Sequence, residues 1–220
     1  RFAFETPPVV LPANSATITP DAEVINSAVA DRTMTIAVKD VFPPTAKASL
    51  SLPDRWQAIE TEAGFSVAAP LDVAEGRYKI SLLLDGQPAQ QTRKIEYAHI
   101  DPRSIASPAE LSIQVVHAEL PDVRVGYIGG GNDRVDHWLN RMGVDVVALS
   151  DDDLKSDVAL ARFDTLVIGI FALKFRDGLA DQMQRLHRWC EQGGTLLTLY
   201  HRPWDNWDPD YSPPRRLEIG

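Results

Sequence analysis

The sequence predicts a mixed fold: an antiparallel β-sandwich over residues 1–120, followed by an α/β domain with a parallel sheet over residues 121–220. Three observations carry this expectation. Apolar and polar residues alternate at period two through the first half. After Asp122 the pattern changes to short apolar runs separated by helical stripes. Gly, Pro and Asp collect at the joints between segments.

In chain order, residues 33–38 (Thr-Met-Thr-Ile-Ala-Val) and 48–52 (Ala-Ser-Leu-Ser-Leu) alternate as half-buried strands do, and the second stops at Pro53-Asp54. Residues 78–84 form another strand and run into Asp85-Gly86, a strong hairpin signal. Residues 90–97 read as its return strand, with Ile95 and Tyr97 on one face, and residues 111–120 as the last strand of this half. Proline marks the joints at Pro43-Pro44, Pro53, Pro70 and Pro88, where a missing N–H does least harm. Short strands at this spacing, with no helical period between them, indicate a sandwich of immunoglobulin or fibronectin style.

In the second half, residues 123–128 form a strand ending in Gly129-Gly130-Gly131. A helix over 133–142 presents Val135, Trp138, Leu139 and Met142 on one face and stops at Gly143. Residues 144–149 form the second strand, and the continuous apolar run at 164–170 suits a third strand covered on both faces. Leu179, Met183, Leu186 and Cys190 share a helical stripe closed by Gly193-Gly194, before a fourth strand at 195–200. Strand–helix alternation implies a flavodoxin-like parallel sheet, with expected strand order 2-1-3-4. Four strands make a thin sheet, which is expected to continue beyond Gly220.

Composition narrows the function classes. With 44% hydrophobic and 24% charged residues the chain is that of a soluble globular protein. A net charge of −9 without a basic cluster argues against a nucleic-acid surface. No apolar stretch approaches the ~20 residues of a transmembrane segment. Cys190 is the single cysteine, which excludes an internal disulfide and a cysteine-based zinc site, and leaves the compartment open. The chain opens at Arg1 with neither Met nor a signal-peptide pattern, as expected of a piece of a longer protein.

Ligands of open α/β sheets bind outside the carboxyl ends of the strands, near the switch in strand order. Three segments fall on that rim: Gly129-Gly130-Gly131-Asn132-Asp133, residues 171–177 with Arg176, and residues 201–211. Gly129 and Gly131 match the first two glycines of a dinucleotide fingerprint, but Arg134 stands where the third belongs, so a tight strand-to-helix turn is the plainer reading. An anion at the helix start remains open. Cys190 lies on a buried stripe, not in the exposed electropositive setting of an activated thiol. His201 occupies the place just after the fourth strand where a nucleophile elbow would lie; it is either a general base or a rim contact. Trp204-Asp205-Asn206-Trp207-Asp208-Pro209-Asp210-Tyr211 interleaves flat apolar faces with sugar-binding polar groups, and equally suits a loop packed down by its tryptophans. It lacks the glycine and terminal Glu of an EF-hand loop. Asp151-Asp152-Asp153 reads as capping charge, and the remaining histidines do not cluster as metal ligands do.

One family joins these halves. Ile95-Glu96-Tyr97-Ala98-His99-Ile100-Asp101-Pro102-Arg103 resembles the linker strand of large bacterial PIG-L (LmbE-like) deacetylases, which joins a β-sandwich to a glutamine-amidotransferase-like α/β domain. The similarity continues through 124–133, 143–154, 163–170 and 189–200. The resemblance implies a parent that removes N-acetyl groups from amino-sugar conjugates with zinc. The zinc would sit in a catalytic domain carrying a His-Pro-Asp-Asp motif and a later histidine. No histidine here is followed by Pro-Asp, so no catalytic residue carries over, and the amidotransferase cysteine is missing at the elbow. The expectation is therefore a non-catalytic accessory region without a cofactor of its own, positioning a glycan or docking the catalytic domain of the same polypeptide. The alternatives are a carbohydrate-binding module acting through Trp204 and Trp207, and a small-molecule hydrolase built on His201.

Overall fold

The structure, a computed structural model, describes residues 12–219. The start of the predicted sandwich, before residue 12, and Gly220 lie outside the described residues. The chain divides into two compact units, Arg1–Ala118 and Glu119–Gly220. The fold is mixed and strand-rich, and among the described residues one of three sheets is parallel.

The first unit contains β1 (Ser15–Thr19), β2 (Ala22–Asn26), β3 (Thr33–Phe42), β4 (Ala48–Ser51), β5 (Gln57–Thr61) and β6 (Gly64–Ala68), then β7 (Gly76–Leu84), β8 (Gln87–Pro88), β9 (Gln90–Tyr97), β10 (Ile100–Pro108) and β11 (Glu110–Val116). One sheet runs β10-β9-β1-β3-β6-β5 and the other β2-β11-β7-β4, with β8 attached to β7. Period-two alternation turns one face of each strand inward. Ile18, Met34, Ile36, Phe65 and Val67 from the first sheet meet Ile25, Ile80, Leu82, Leu84, Leu111, Ile113 and Val115 from the second in a shared core. Each such aliphatic side chain contributes about 1.5–3 kcal/mol through burial.

Two expectations need correction here. The pairings are not all antiparallel, since β2 lies parallel to β11 over five residues and β1 touches β9 in parallel at Ser15 and Gln90. Nor is β9 the return strand of the Asp85-Gly86 hairpin. That turn forms, with φ of 49° and 77° at its two residues, but β8 pairs with β7 only over Gln87 and Pro88. Pro88 has no N–H for the ladder. The small, buried Ala89 binds Leu82 and Ala109 through its backbone, and the chain then crosses to the other sheet, where β9 pairs with β10.

The second unit contains β12 (Arg124–Ile128), α1 (Val135–Met142), β13 (Asp145–Ala148), α2 (Asp151–Leu154), α3 (Asp157–Leu160), β14 (Thr165–Ile168), α4 (Ala172–Phe175), α5 (Leu179–Glu191) and β15 (Thr195–Thr198). All four strands are parallel, in the order β13-β12-β14-β15, which is the expected 2-1-3-4. One face packs Ile128, Leu166 and Ile168 against Leu154, Leu160, Leu173, Met183, Leu186 and Trp189. The other carries a smaller cluster of Val125, Tyr127 and Val167, on which Val135 and Leu139 of α1 rest. The predicted stripe of α1 is narrower than expected. Trp138 stays more than one-third exposed with its edge on His137, because this face offers too small a cluster to bury it. Among the described residues no helix is long and apolar enough to cross a membrane.

Candidate functional site

The carboxyl ends of β12, β13, β14 and β15 define a rim, and the loops that follow them are tied to each other by side chains. After β12, Asp133 is the knot. Its carboxylate accepts from the Tyr127 hydroxyl, from Ile170 N at 2.5 Å and from Val135 N at 3.2 Å, joining the first loop to the third. Burial, and then the hydrogen bond to Asp133, push the Tyr127 phenol well above its ordinary range. Asn132 adds a bond from Nδ2 to the Ile170 carbonyl at 3.2 Å. Gly130 passes so close to α4 that an added Cβ would lie 2.8 Å from the Cα of Ala172, and Gly131 turns with φ 82°. The glycine run is therefore a tight turn packed against its neighbour.

Arg176 clamps the other side. Its side chain is only 13% exposed, donating from Nη2 to the Leu149 carbonyl at 2.7 Å and from Nε to Asp151 at 2.9 Å, with Nη1 3.5 Å from the Gly129 carbonyl. It thus fastens the ends of β12 and β13. Replacement by methionine keeps the bulk but strands two carbonyls, and is expected to cost about 2 kcal/mol in urea unfolding. Ser150 is the N-cap of α2 and the aspartate run supplies the expected capping charge: the Ser150 hydroxyl accepts from Asp153 N, Asp153 accepts from Ser150 N, and Asp151, Asp152 and Asp153 all lie in the first turn. These Ser150 bonds hold the Asp153 carboxyl below its ordinary range.

His201 is buried, and both ring nitrogens are spoken for by backbone. Nε2 accepts from Leu173 N at 3.1 Å, and Nδ1 lies 2.8 Å from the Leu199 carbonyl. This pattern fixes the neutral tautomer with the proton on Nδ1 and leaves no lone pair for a substrate. Nor is the left-handed elbow at His201. It lies one strand earlier, at Phe171 (φ 56°, ψ 18°), between β14 and α4. A phenyl ring therefore stands where an elbow would carry a nucleophile. Cys190 is half-buried against the core and burial pushes its thiol up, the opposite of activation.

The loop after β15 separates its two tryptophans. Trp207 packs on the core and donates Nε1–H to the Leu217 carbonyl at 2.9 Å. Trp204 is 67% exposed. Between them, Asp205 is fully buried, accepting from Arg202 N, Nε and Nη2 at 2.8–2.9 Å, with Lys174 Nζ 3.7 Å away. The Arg202 hydrogen bond, foremost, holds its carboxyl at about 2. The same guanidinium lies 4.4 Å from the centre of the Phe171 ring and 5.4 Å from that of Trp204. Phe171, Tyr200 and Arg202 were not singled out in the sequence. The i, i+3 spacing of Arg202 and Asp205 is the one sequence signal that could have pointed to their ion pair. A shallow depression beside Arg176, lined by Asp151, Asp177 and Asp181 among others, does not include His201. Among the described residues no group of three or more His, Cys, Asp or Glu is placed to hold a metal ion.

No family model matches this chain, and no curated protein matches it. Among solved structures, it is similar to a Bacteroides fragilis protein named for α-galactosidase (melibiase) activity, at 16% identity and a TM-score of 0.26. The match covers 83% of this chain and only 37% of that one. At that score the likeness carries no argument.

Proposed function

We propose that the chain is a non-catalytic accessory segment of a PIG-L-type, zinc-dependent N-acetyl-sugar deacetylase. Its first unit would be an immunoglobulin- or fibronectin-like sandwich and its second a flavodoxin-like domain of the amidotransferase type. The partner is the catalytic domain of the same polypeptide, where the zinc would reside, and the rim either positions a glycan or docks that domain. The observation that carries this reading is Phe171, an apolar ring held in left-handed geometry at the elbow. The hydrolase alternative loses its base, because both nitrogens of His201 are taken by backbone. The carbohydrate-binding alternative passes from the Trp204/Trp207 pair to Trp204, since Trp207 is packed into the unit.

Incubation of the chain with N-acetylglucosamine oligomers and zinc is expected to release no acetate above a protein-free control. Acetate release proportional to chain concentration would overturn the proposal.

A further inference from the structure

A strand at the edge of a sheet leaves one row of backbone N–H and C=O groups unpaired, and proteins guard such edges with short length, charge or proline. Among the described residues the edge strands β2, β4, β5, β13 and β15 have four or five residues each. The edge strand β10 has nine. It pairs with β9 from Pro108 and Gln90 out to Ile100 and Tyr97, and no described strand pairs with its other side. Arg103, Ser104, Ile105 and Ala106 are all exposed, Ile105 to 54%. The charge of this ribbon also departs from the rest of the chain. Against a net charge of −9 for the whole, residues 90–108 hold Arg93, Lys94 and Arg103 with only Glu96 and Asp101 opposing them. The opposite edge of the same sheet, β5, is guarded by Glu60 and, just beyond it, by Glu62. Between Pro102 and Pro108, β10 carries no acidic residue.

The two prolines set a register. Neither has an N–H for a new ladder, so the stretch open to an added strand is the one between them. Ile105 is its midpoint. A second copy running antiparallel about a two-fold axis at Ile105 sets Ile105 against its own counterpart, Ser104 against Ala106 and Arg103 against Ser107. No like charges are directly opposed, and the Ser107 hydroxyl is an acceptor for the Arg103 guanidinium. Ile105 stands across from Arg93 in β9, and Arg103 across from Ile95, so the arginine stems flank the isoleucine on one face. This self-complementary spacing selects a second copy over an unrelated strand. We propose that β10 is a self-association edge, through which two copies join β10 to β10 antiparallel and continue their six-stranded sheets as one. The seam is narrow beside the roughly 20–30 residues a side of a stable interface, so the dimer is weak and reversible.

Sedimentation velocity of the whole chain, from micromolar to near-millimolar concentration, tests this. A monomer–dimer equilibrium is expected, weakened about tenfold or more in Ile105→Lys, which sets two ammonium groups face to face. Ile59→Lys, on the other free edge of the same sheet, should leave it unchanged. Circular dichroism checks the fold of each variant. Mild oxidation reads the register. Ile105→Cys is expected to form an intermolecular disulfide, because directly opposed strand residues lie within disulfide reach, whereas Ser104→Cys is not. The wild-type chain, with Cys190 alone, is the control. A chain monomeric throughout, a dimer that Ile105→Lys leaves intact, an assembly that grows beyond two, or equal cross-linking at 104 and 105 would overturn the proposal.

Discussion

Replacing Gly64 by alanine is expected to destabilise the first unit by about 3 kcal/mol or more. Gly64 opens β6 opposite Ala37, with φ at +148°. An added Cβ would sit 2.2 Å from the Ile36 carbonyl oxygen and 3.0 Å from Val38 N, both backbone atoms of β3. Neither can swing aside as a side chain can, so β6 must lift from β3. Phe65 and Val67 would then leave the core they share with Met34 and Ile36. Gly86→Ala is the control. It also carries a positive φ, of 77°, but meets nothing within 4 Å, so its cost is only the conformational one, about 1 kcal/mol. Urea unfolding followed by circular dichroism checks both; equal losses would mean that the contact with β3 does not matter.

Asp205→Asn is expected to lower the thermal midpoint of the second unit and to flatten its acid dependence. The amide keeps the shape but replaces an acceptor with a donor facing Arg202, and leaves Arg202 and Lys174 without their buried counter-charge. The sign of the pH effect follows from the carboxyl, held at about 2 in the fold against an ordinary 3.8. A depressed carboxylate contributes stability that is fully present above its unfolded value. It is lost as pH falls from 3.8 through about 2. Thermal unfolding of both proteins between neutral and acid pH should show a wide gap that narrows across that window. Coincident midpoints at neutral pH would show that the pair stabilises nothing.

The parallel sheet was legible because buried strands such as Leu166-Val167-Ile168 are continuous apolar runs, and a helical stripe such as Leu179, Met183 and Leu186 announces its own period. In the first unit the pairing partners were not legible. β9 looks like the return strand of the Asp85-Gly86 turn, and only Pro88 and the burial of Ala89 between Leu82 and Ala109 send it to the other sheet. The rim shows the same limit. Trp204 and Trp207 are the same residue three positions apart. What distinguishes them is the Leu217 carbonyl, ten residues on, that takes the Trp207 indole. His201 showed a titratable side chain in a suggestive place, but its partners, Leu173 N and the Leu199 carbonyl, are backbone groups without a sequence signature. The strained backbone at Phe171 had none either, since left-handed geometry at a phenylalanine runs against its propensity.

The most direct test of a non-catalytic chain is one nuclear magnetic resonance titration of the labelled chain with tetra-N-acetylchitotetraose in the presence of zinc. The expected result is a still Trp207 indole N–H and no growing acetate methyl line. Acetate accumulating with time, or a Trp207 indole signal that moves with the sugar, would contradict it.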